Sequence, residues 1–221
     1  KDLAFCTTLE PLVGLRHTQH LGPQEGVSTL QELADLMQQR PDLLRQRMAC
    51  LDIEANGMGF LAMLVARAQD RGYGRFIDLA VGMGLQGHGS NPPLVQALVS
   101  ESAVLAFPVL GAFAARAVVA HPQLAVCTSP AARLGVSRVA LIAKDAPHPE
   151  QAACFVDFLL SPAGQDCMRQ DGLFPLQDLG QSDGLPAMVV EPLPIDDGFA
   201  PWLDPHARAA LRQDWAHLLL A

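Results

Sequence analysis

A glycine-rich turn from Ala55 to Gly59 carries the residues best suited to bind a small ligand. Asn56 can donate or accept a hydrogen bond, and Gly57 and Gly59 let the backbone approach a ligand closely. Where a strand leads into a helix, free backbone N–H groups and the helix dipole suit an anion or a carboxylate. Asn56, Gly57, Met58 and Gly59 are therefore candidate ligand-binding residues. The alternative is a plain turn in which Asn56 only caps the next helix.

Two further stretches have the same character. Leu110, Gly111 and Phe113 occupy a second predicted strand-to-helix turn, where backbone N–H groups and a ring face would meet a ligand. Thr7 and Thr8 end the first predicted strand, and their hydroxyls are candidate contacts for a polar ligand. Core packing is the alternative for the turn, and an ordinary strand end is the alternative for the threonines.

The sequence lacks the motifs of common enzyme and nucleotide sites. Gly57 and Gly59 do not form G-x-G-x-x-G, and no phosphate-loop lysine follows them. Neither G-x-S-x-G nor H-E-x-x-H occurs. The only lysines, Lys1 and Lys144, lie outside the candidate turns, which disfavours a cofactor lysine. We therefore expect no catalytic residues and no cofactor.

A metal site is not predicted either. The seven histidines include one pair at i and i+3, His17 and His20, but their segment does not have a clear helical pattern. The five cysteines form no C-x-x-C pair. Cys154 and Cys167 fall in predicted helices, where we expect them to pack as small apolar residues.

Composition excludes several classes of protein. Half of the 221 residues are hydrophobic and 17% are charged, which provides a core and is unlike a disordered chain. The formal net charge of −8 argues against a nucleic-acid partner. No apolar run reaches the roughly 18–20 residues that span a bilayer, so direct membrane insertion is not expected.

Apolar strands alternate with helical patterns along the chain, which predicts an α/β fold. Strands are expected near residues 3–6, 47–53, 103–107, 124–127 and 139–143, with a further short strand between 11 and 26. Ser28, Ser161 and Asp204 are the predicted N-caps of three helices. The glycine- and proline-rich stretches 84–93 and 178–197 are predicted to be mostly loop.

The clearest pattern runs from Ser137 to Leu176. It reads A-P-H-P-E-x-A at 146–152, F-x-D-F-L-L-S-P-x-G-Q at 155–165 and G-x-F-P at 172–175. This order resembles the C-terminal lobe of periplasmic solute-binding proteins of ABC transporters, closest to the group that includes the ferric-iron binders. Turns at 52–60 and 109–114 and a last helix with Asp204, Arg208 and Trp215 extend the resemblance over nearly the whole chain.

The resemblance implies a type II fold of two α/β lobes joined by two crossover strands, with the ligand in the cleft. Residues 1–8 then form the first crossover, 9–128 lobe two, 129–143 the return crossover, and 144–221 the C-terminal part of lobe one. About a hundred residues that normally begin lobe one have no counterpart, so we expect a fragment or a half supplied elsewhere. The apolar faces of Phe155, Leu159 and Trp215 are expected to lose partners.

The resemblance further implies a periplasmic protein that captures a small polar or anionic solute and delivers it to the membrane permease of an ABC transporter. Ferric binders of this kind use adjacent tyrosines, whereas this chain has only Tyr73, so ferric coordination of that type is not expected. The same fold used as the sensing domain of a signalling receptor is an alternative, and an enzyme on a similar scaffold is a third.

Overall fold

The longest strand of the computed structural model, β1 (Ala4–His17), runs through the middle of the sheet. The structure describes residues 4–23, 25, 27–129, 134–176, 191–192 and 204–219. The expectation of two separate short strands at this end is wrong. The strand tolerates Pro11 because the N–H that proline lacks is not needed there. The Leu9 N–H donates to the Phe174 carbonyl, and the Pro11 nitrogen, two residues further, faces the same edge of β1. The neighbouring strand on that edge has already ended, so no hydrogen bond of the sheet is lost.

Strands and helices alternate along most of the remaining chain, which confirms the α/β class. The other strands are β2 (Met48–Leu51), β3 (Leu85–His88), β4 (Leu105–Leu110), β5 (Leu124–Cys127), β6 (Leu134–Leu141) and β7 (Glu191–Pro192). The helices of the described residues are α1 (Leu30–Gln39), α2 (Pro41–Leu44), α3 (Gly57–Gln69), α4 (Tyr73–Met83), α5 (Asn91–Val99), α6 (Gly111–Ala120), α7 (Pro149–Leu160), α8 (Pro162–Gln170) and α9 (Pro205–Trp215).

The seven described strands form one mixed sheet in the order β3-β2-β4-β1-β6-β7, and β5 also pairs with β1. β2 is parallel to β3 and β4, whereas β1 is antiparallel to β4, β5 and β6. Residues 4–11 of β1 pair with β6, and from Leu12, opposite Leu110, β1 pairs with β4. β1 thus connects the parallel strands β3, β2 and β4 to a second parallel pair, β6 and β7.

The two faces of the sheet bury different helices, because side chains alternate along each strand. Met48 and Cys50 pack into a cluster with α1, α3, α4 and α9. Ala49 and Leu51 pack on the opposite face with α5 and α6. We call these the α3 face and the α6 face. A sheet covered on both faces explains the nearly continuous apolar sequences of β2 and β4.

The sequence motif at α7 and α8 is a scaffold. Gln165 is buried, and its Nε2 donates to the carbonyls of Thr7 and Leu159 at 3.1 and 2.8 Å. Its Oε1 accepts the Leu176 N–H at 2.8 Å, so one side chain ties α8, β1 and the exit segment together. At Gly164, a Cβ would lie 2.0 Å from the Phe158 carbonyl oxygen, so this helix junction excludes a larger residue.

Most predicted helix starts are confirmed. Ser161 caps α8 by accepting the Gly164 N–H, and Asp204 caps α9. The cap predicted at Ser28 is wrong by one residue, because Thr29 accepts the Glu32 N–H while the Glu32 carboxylate accepts the Ser28 N–H. Thr29 and Glu32 therefore form the capping pair of this helix, one residue further along the chain than predicted.

The prediction that 84–93 is mostly loop is wrong. Residues 85–88 form β3, which pairs in parallel with β2 along its whole length. Residues 91–93 form the first turn of α5, where two prolines occupy early helical positions that need no N–H donor. Of the stretch 178–197, also predicted as loop, only β7 is within the described residues.

The expectation that Trp215 loses its partners is wrong. Trp215 is 3% exposed and packs against Phe76 with 6.3 Å between ring centroids, because α9 lies on α3 in the α3-face cluster. Phe155, in contrast, is 60% exposed and Phe158 is 46% exposed, so part of α7 does present an uncovered apolar face. Leu159 is half-buried.

Two of the cysteine predictions are wrong as well. Cys154 and Cys167 are exposed on α7 and α8, where no element of the described residues covers these helix faces. Cys50 is buried in β2, and Cys127, at the end of β5, is half-buried and packs against the α3-face cluster. The described cysteines are all free thiols.

Candidate ligand-binding site

The sheet has a crevice where the connections after β2 and β4 leave in opposite directions. β2 continues into α3 on one face and on to β3, while β4 continues into α6 on the other face and on to β5 beside β1. Because β2 and β4 are parallel neighbours, their carboxyl ends open side by side. In α/β sheets, ligands bind outside the carboxyl ends of strands at such a reversal. We call this end of the sheet the carboxyl edge.

Asn56 closes the start of α3 with its whole amide. Its Oδ1 accepts the N–H groups of Met58 and Gly59 at 3.1 and 2.9 Å, and its Nδ2 donates to the Gly89 carbonyl at 3.0 Å. The side chain acts as the N-cap that was the alternative reading of this turn. Gly57 is exposed and no atom lies within 4 Å of its ideal Cβ position, so the backbone there is open to a ligand.

The turn between β3 and α5 also belongs to the carboxyl edge, and the sequence interpretation missed it. Asn91 is buried, and its Oδ1 accepts the Leu110 N–H at 3.0 Å. With the bond from Asn56 to Gly89, two asparagines link the starts of α3, α5 and α6. The signal was present in the sequence Ser90-Asn91-Pro92-Pro93, since asparagine and prolines are typical of a helix start.

The start of α6 is covered by another part of the chain. A Cβ on Gly111 would lie 2.9 Å from the Phe174 ring and 2.9 Å from Pro11. Phe174 is fully buried, and the Leu9 N–H donates to its carbonyl at 3.0 Å. Phe113 is half-buried and packs on the α6-face cluster. Gly111 is thus enclosed by other parts of the chain, and Phe113 contributes to the core on one side, as in the core-packing alternative for this turn.

Thr7 and Thr8 lie on β1 beyond the carboxyl edge, at some distance along the strand from the three turns. The Thr7 hydroxyl donates to the Arg138 carbonyl at 3.1 Å, and the Thr8 Oγ1 is buried without a hydrogen-bond partner among the described residues. Beside them, Glu10 is buried and accepts from Arg138 Nε. The sequence interpretation named neither Glu10 nor Arg138.

Two arginines of α9 give the start of α3 a positive environment. The Arg208 and Arg212 guanidiniums lie 5.2 and 4.9 Å from the centroid of the Phe60 ring, which is one helical turn after Gly57. Arg212 also pairs with Glu54 at 2.9 Å. Arg208 belongs to no ion pair within the described residues, so its charge adds to the positive end of the helix dipole.

Ionisable groups in β2 and β3 are held neutral by burial. Burial lowers the pKa of His88, whose Nε2 has no partner within the described part of the chain. Burial raises the pKa of the Cys50 thiol, and the charge of Asp52 raises it further. A neutral imidazole and a protonated thiol provide no activated nucleophile. Among the described residues, no group of three or more His, Cys, Asp or Glu side chains is placed to hold a metal ion.

The model of the bacterial extracellular solute-binding proteins matches residues 21–174. The chain belongs to this family. No curated protein matches it in sequence. The family assignment confirms the resemblance carried by the motifs at 146–175 and by the turns at 52–60 and 109–114.

Solved structures share the fold of this solute-binding protein. The substrate-binding protein of an ABC transporter from Agrobacterium tumefaciens superposes with a TM-score of 0.80 at 22% identity, over 98% of this chain and 67% of that one. A periplasmic thiamin-binding protein gives a TM-score of 0.68 at 15% identity, over 100% and 67%. Iron-bound HitA from Pseudomonas aeruginosa gives 0.60 at 16%, over 97% and 68%.

These likenesses confirm the type II periplasmic-binding fold with one lobe represented in part. The chain spans about two thirds of the length of the structures that it matches. No helix of the described residues is long and apolar enough to cross a membrane.

Proposed function

We propose that this protein captures a small polar or anionic solute at the carboxyl edge and delivers it to the membrane permease of an ABC transporter. The observation that carries the proposal is the reversal of chain connections between β2 and β4, with the start of α3 open at Gly57. Membership of the extracellular solute-binding family supports a binding role, and a periplasmic location follows from the same proposal.

The solute would contact the turns that the sequence singled out. Backbone N–H groups near Gly57, the positive end of the α3 dipole and the Arg208 guanidinium favour a group with negative charge. Asn56, Met58 and Gly59 shape this turn. Across the crevice we place Leu110, which is half-buried, with Gly111 and Phe113 packed behind it. Thr7 and Thr8 belong to the proposed crossover.

The mechanism would be hinge closure about the crossover strands. We place the crossovers at 1–8 and 129–143, lobe two at 9–128 and the lobe-one part at 144–221. A solute that contacts both sides of the cleft stabilises the closed arrangement through its differential affinity for the two states. The closed form would then be the one that docks on the permease.

A thermal-shift screen followed by calorimetry tests the proposal. The probes are inorganic phosphate, citrate, ferric citrate, thiamine and spermidine, which differ in charge and size. A solute at 100 times its dissociation constant stabilises the fold by about 2.7 kcal/mol, which for a chain of this size is a shift of roughly 5–10 °C. If no probe gives a saturable shift while circular dichroism shows a folded chain, the proposal is wrong.

A further inference from the structure

The guanidinium of Arg138 is held in one orientation by a buried carboxylate. Its Nε donates to Glu10 Oε1 at 2.5 Å. The Glu10 side chain is 1% exposed, whereas the Arg138 side chain is 46% exposed. A guanidinium has five N–H donors in a rigid plane. Since Glu10 takes the Nε donor, the Nη donors remain available and face no acceptor within the described residues.

The backbone of Arg138 is fixed from the other side. The Thr7 hydroxyl donates to the Arg138 carbonyl at 3.1 Å. Thr7 lies where the register of β1 against β6 shifts, between Cys6 and Thr8, and Thr8 is the direct partner of Arg138. Such bulges increase the local twist and redirect side chains, and they are frequent beside binding sites. Both ends of Arg138 are therefore positioned by β1.

The guanidinium lies beyond the carboxyl edge and on the α3 face. Leu12 is the partner of Leu110 at the end of β4, so Glu10 lies two residues, or about 7 Å, beyond that end. Glu10 and Leu12 point to the same face of β1, and Leu12 packs into the α3-face cluster. Arg138 thus faces the side of the sheet where α3 begins at Gly57.

A purely structural ion pair would have a different geometry. Burying a carboxylate is costly unless its oxygens are satisfied. Here Glu10 Oε2 and the neighbouring Thr8 Oγ1 are buried without partners, while the cation that Glu10 holds keeps its remaining donors toward solvent. The buried side of the pair is thus incompletely satisfied, and the donor edge of Arg138 is exposed.

We propose that Arg138 is a solute-binding residue that takes an oxyanion, a carboxylate or a phosphate, through its Nη groups, and that Glu10 positions it. The inference rests on the proposed solute-binding function and specifies the class of solute. A planar guanidinium forms two parallel hydrogen bonds to a carboxylate or phosphate. The solute therefore carries at least one such group, which the start of α3 and Arg208 favour as well.

Four variants separate the binding role of Arg138 from its structural role. Arg138→Met alone leaves Glu10 as an unpaired buried charge and is expected to unfold more easily. The double variant Glu10→Gln/Arg138→Met removes that charge together with the guanidinium. Glu10→Gln alone keeps the guanidinium and an amide oxygen that still accepts from Nε. Arg45→Met, which removes an exposed arginine bonded to Gly82 at the other end of the sheet, is the control for net charge.

Calorimetric titration of the whole chain with inorganic phosphate and with citrate gives the readout. We expect Arg45→Met to bind the better of the two anions within about threefold of the unsubstituted chain. Glu10→Gln is expected to bind about fivefold more weakly than the unsubstituted chain, because a neutral amide holds the Nε group less firmly than a carboxylate does. The double variant is expected to bind roughly 10- to 100-fold more weakly, as for loss of hydrogen bonds to a charged group. Arg138→Lys is expected to fall between them, because lysine keeps the charge and loses the planar pair of donors.

Other outcomes overturn the inference. If the double variant binds the anion as tightly as Glu10→Gln does, Arg138 has only a structural role. If thiamine or spermidine binds the chain and neither phosphate nor citrate does, the solute-binding function stands and the oxyanion assignment is wrong. If no probe binds a folded chain, both proposals are wrong.

Discussion

A Cβ on Gly59 would lie 2.6 Å from the Cβ of Leu51, closer than side chains approach in proteins. The first turn of α3 therefore rests directly on the last residue of β2. This contact fixes the distance between the helix start and the carboxyl edge. Gly59 is thus required for packing, whereas Gly57, two residues earlier, has no atom within 4 Å of its ideal Cβ position.

The two glycines should respond very differently to alanine. Gly59→Ala is expected to lower the free energy of unfolding by about 1–3 kcal/mol, because overpacking at this site shifts the helix away from the strand. Gly57→Ala is the matched control and should change the free energy of unfolding by less than roughly 1 kcal/mol. Alanine restricts the unfolded chain more than glycine does, which favours a small gain in stability. Urea unfolding followed by circular dichroism measures both. Equal losses in the two variants would contradict the packing role of Gly59.

Trp215 and Phe155 form a second contrast. Trp215→Ala removes a ring that is 3% exposed and packed on Phe76, and it should cost about 3–5 kcal/mol. Phe155→Ala removes a ring that is 60% exposed, and it should change the free energy of unfolding by less than roughly 1 kcal/mol. Thermal unfolding of the two variants beside the parent chain gives the comparison. A large loss at Phe155 would show that a contact covers this face of α7.

Local signals made several features predictable. Ser161 with Pro162 and Asp204 with Pro205 mark helix starts through neighbouring residues alone, and both are caps in the structure. The strand β3 was missed because Leu85–His88 contains one large apolar residue and two prolines follow closely. Its pairing with β2 depends on the β2–α3–α4–β3 connection, which a reading of single segments does not reveal.

Contacts between distant segments were not predictable. Glu10 and Arg138 are 128 residues apart in the sequence. A single glutamate within an apolar strand, taken alone, indicates an exposed position at the edge of a sheet. The sequence predicted that Trp215 would lack partners, whereas in the structure it packs on Phe76 of α4. For the turn at Asn56, the sequence predicted a ligand contact, with a plain helix cap as the alternative. The structure shows the cap, and the contact remains a prediction.

Asn56 can be tested for both roles. Asn56→Ala removes the acceptor for two N–H groups and should cost about 1 kcal/mol of stability. Asn56→Asp keeps that acceptor, so its stability should be near that of the parent, but it loses the donation to Gly89 and adds a negative charge beside Gly57. That charge should weaken binding of an anionic solute by roughly tenfold at low salt, and less at high salt.

Calorimetry at two salt concentrations and urea unfolding separate these effects. If Asn56→Asp binds the anionic probe as tightly as the parent chain at low salt, the solute does not lie at the start of α3. Asn56 would then serve only as the cap. A loss of stability in Asn56→Asp as large as that of Asn56→Ala would instead show that the bond to Gly89 carries the turn.

The burial of His17 predicts how the free energy of unfolding depends on pH. It is buried at the end of β1, and its Nδ1 has no partner within the described residues. Burial lowers its pKa, His20 and Arg47 lower it further, and Glu101 opposes them. The folded state binds the His17 proton less tightly than the unfolded chain does. Above about pH 6.5 the imidazole is neutral in both states, so His17 does not lower the free energy of unfolding there. Below that pH, protonation of the unfolded chain reduces stability.

The free energy of unfolding, measured with urea, should therefore decrease as the pH is lowered from 7.5 to 5.5, by at most about 1.4 kcal/mol per pH unit for one histidine. His88 contributes with the same sign, since burial lowers its pKa as well. His17→Gln removes one titrating group, so its stability should depend less steeply on pH even if its stability at pH 7.5 is lower. A slope equal to that of the parent chain in both His17→Gln and His88→Gln would show that neither histidine is held neutral by the fold.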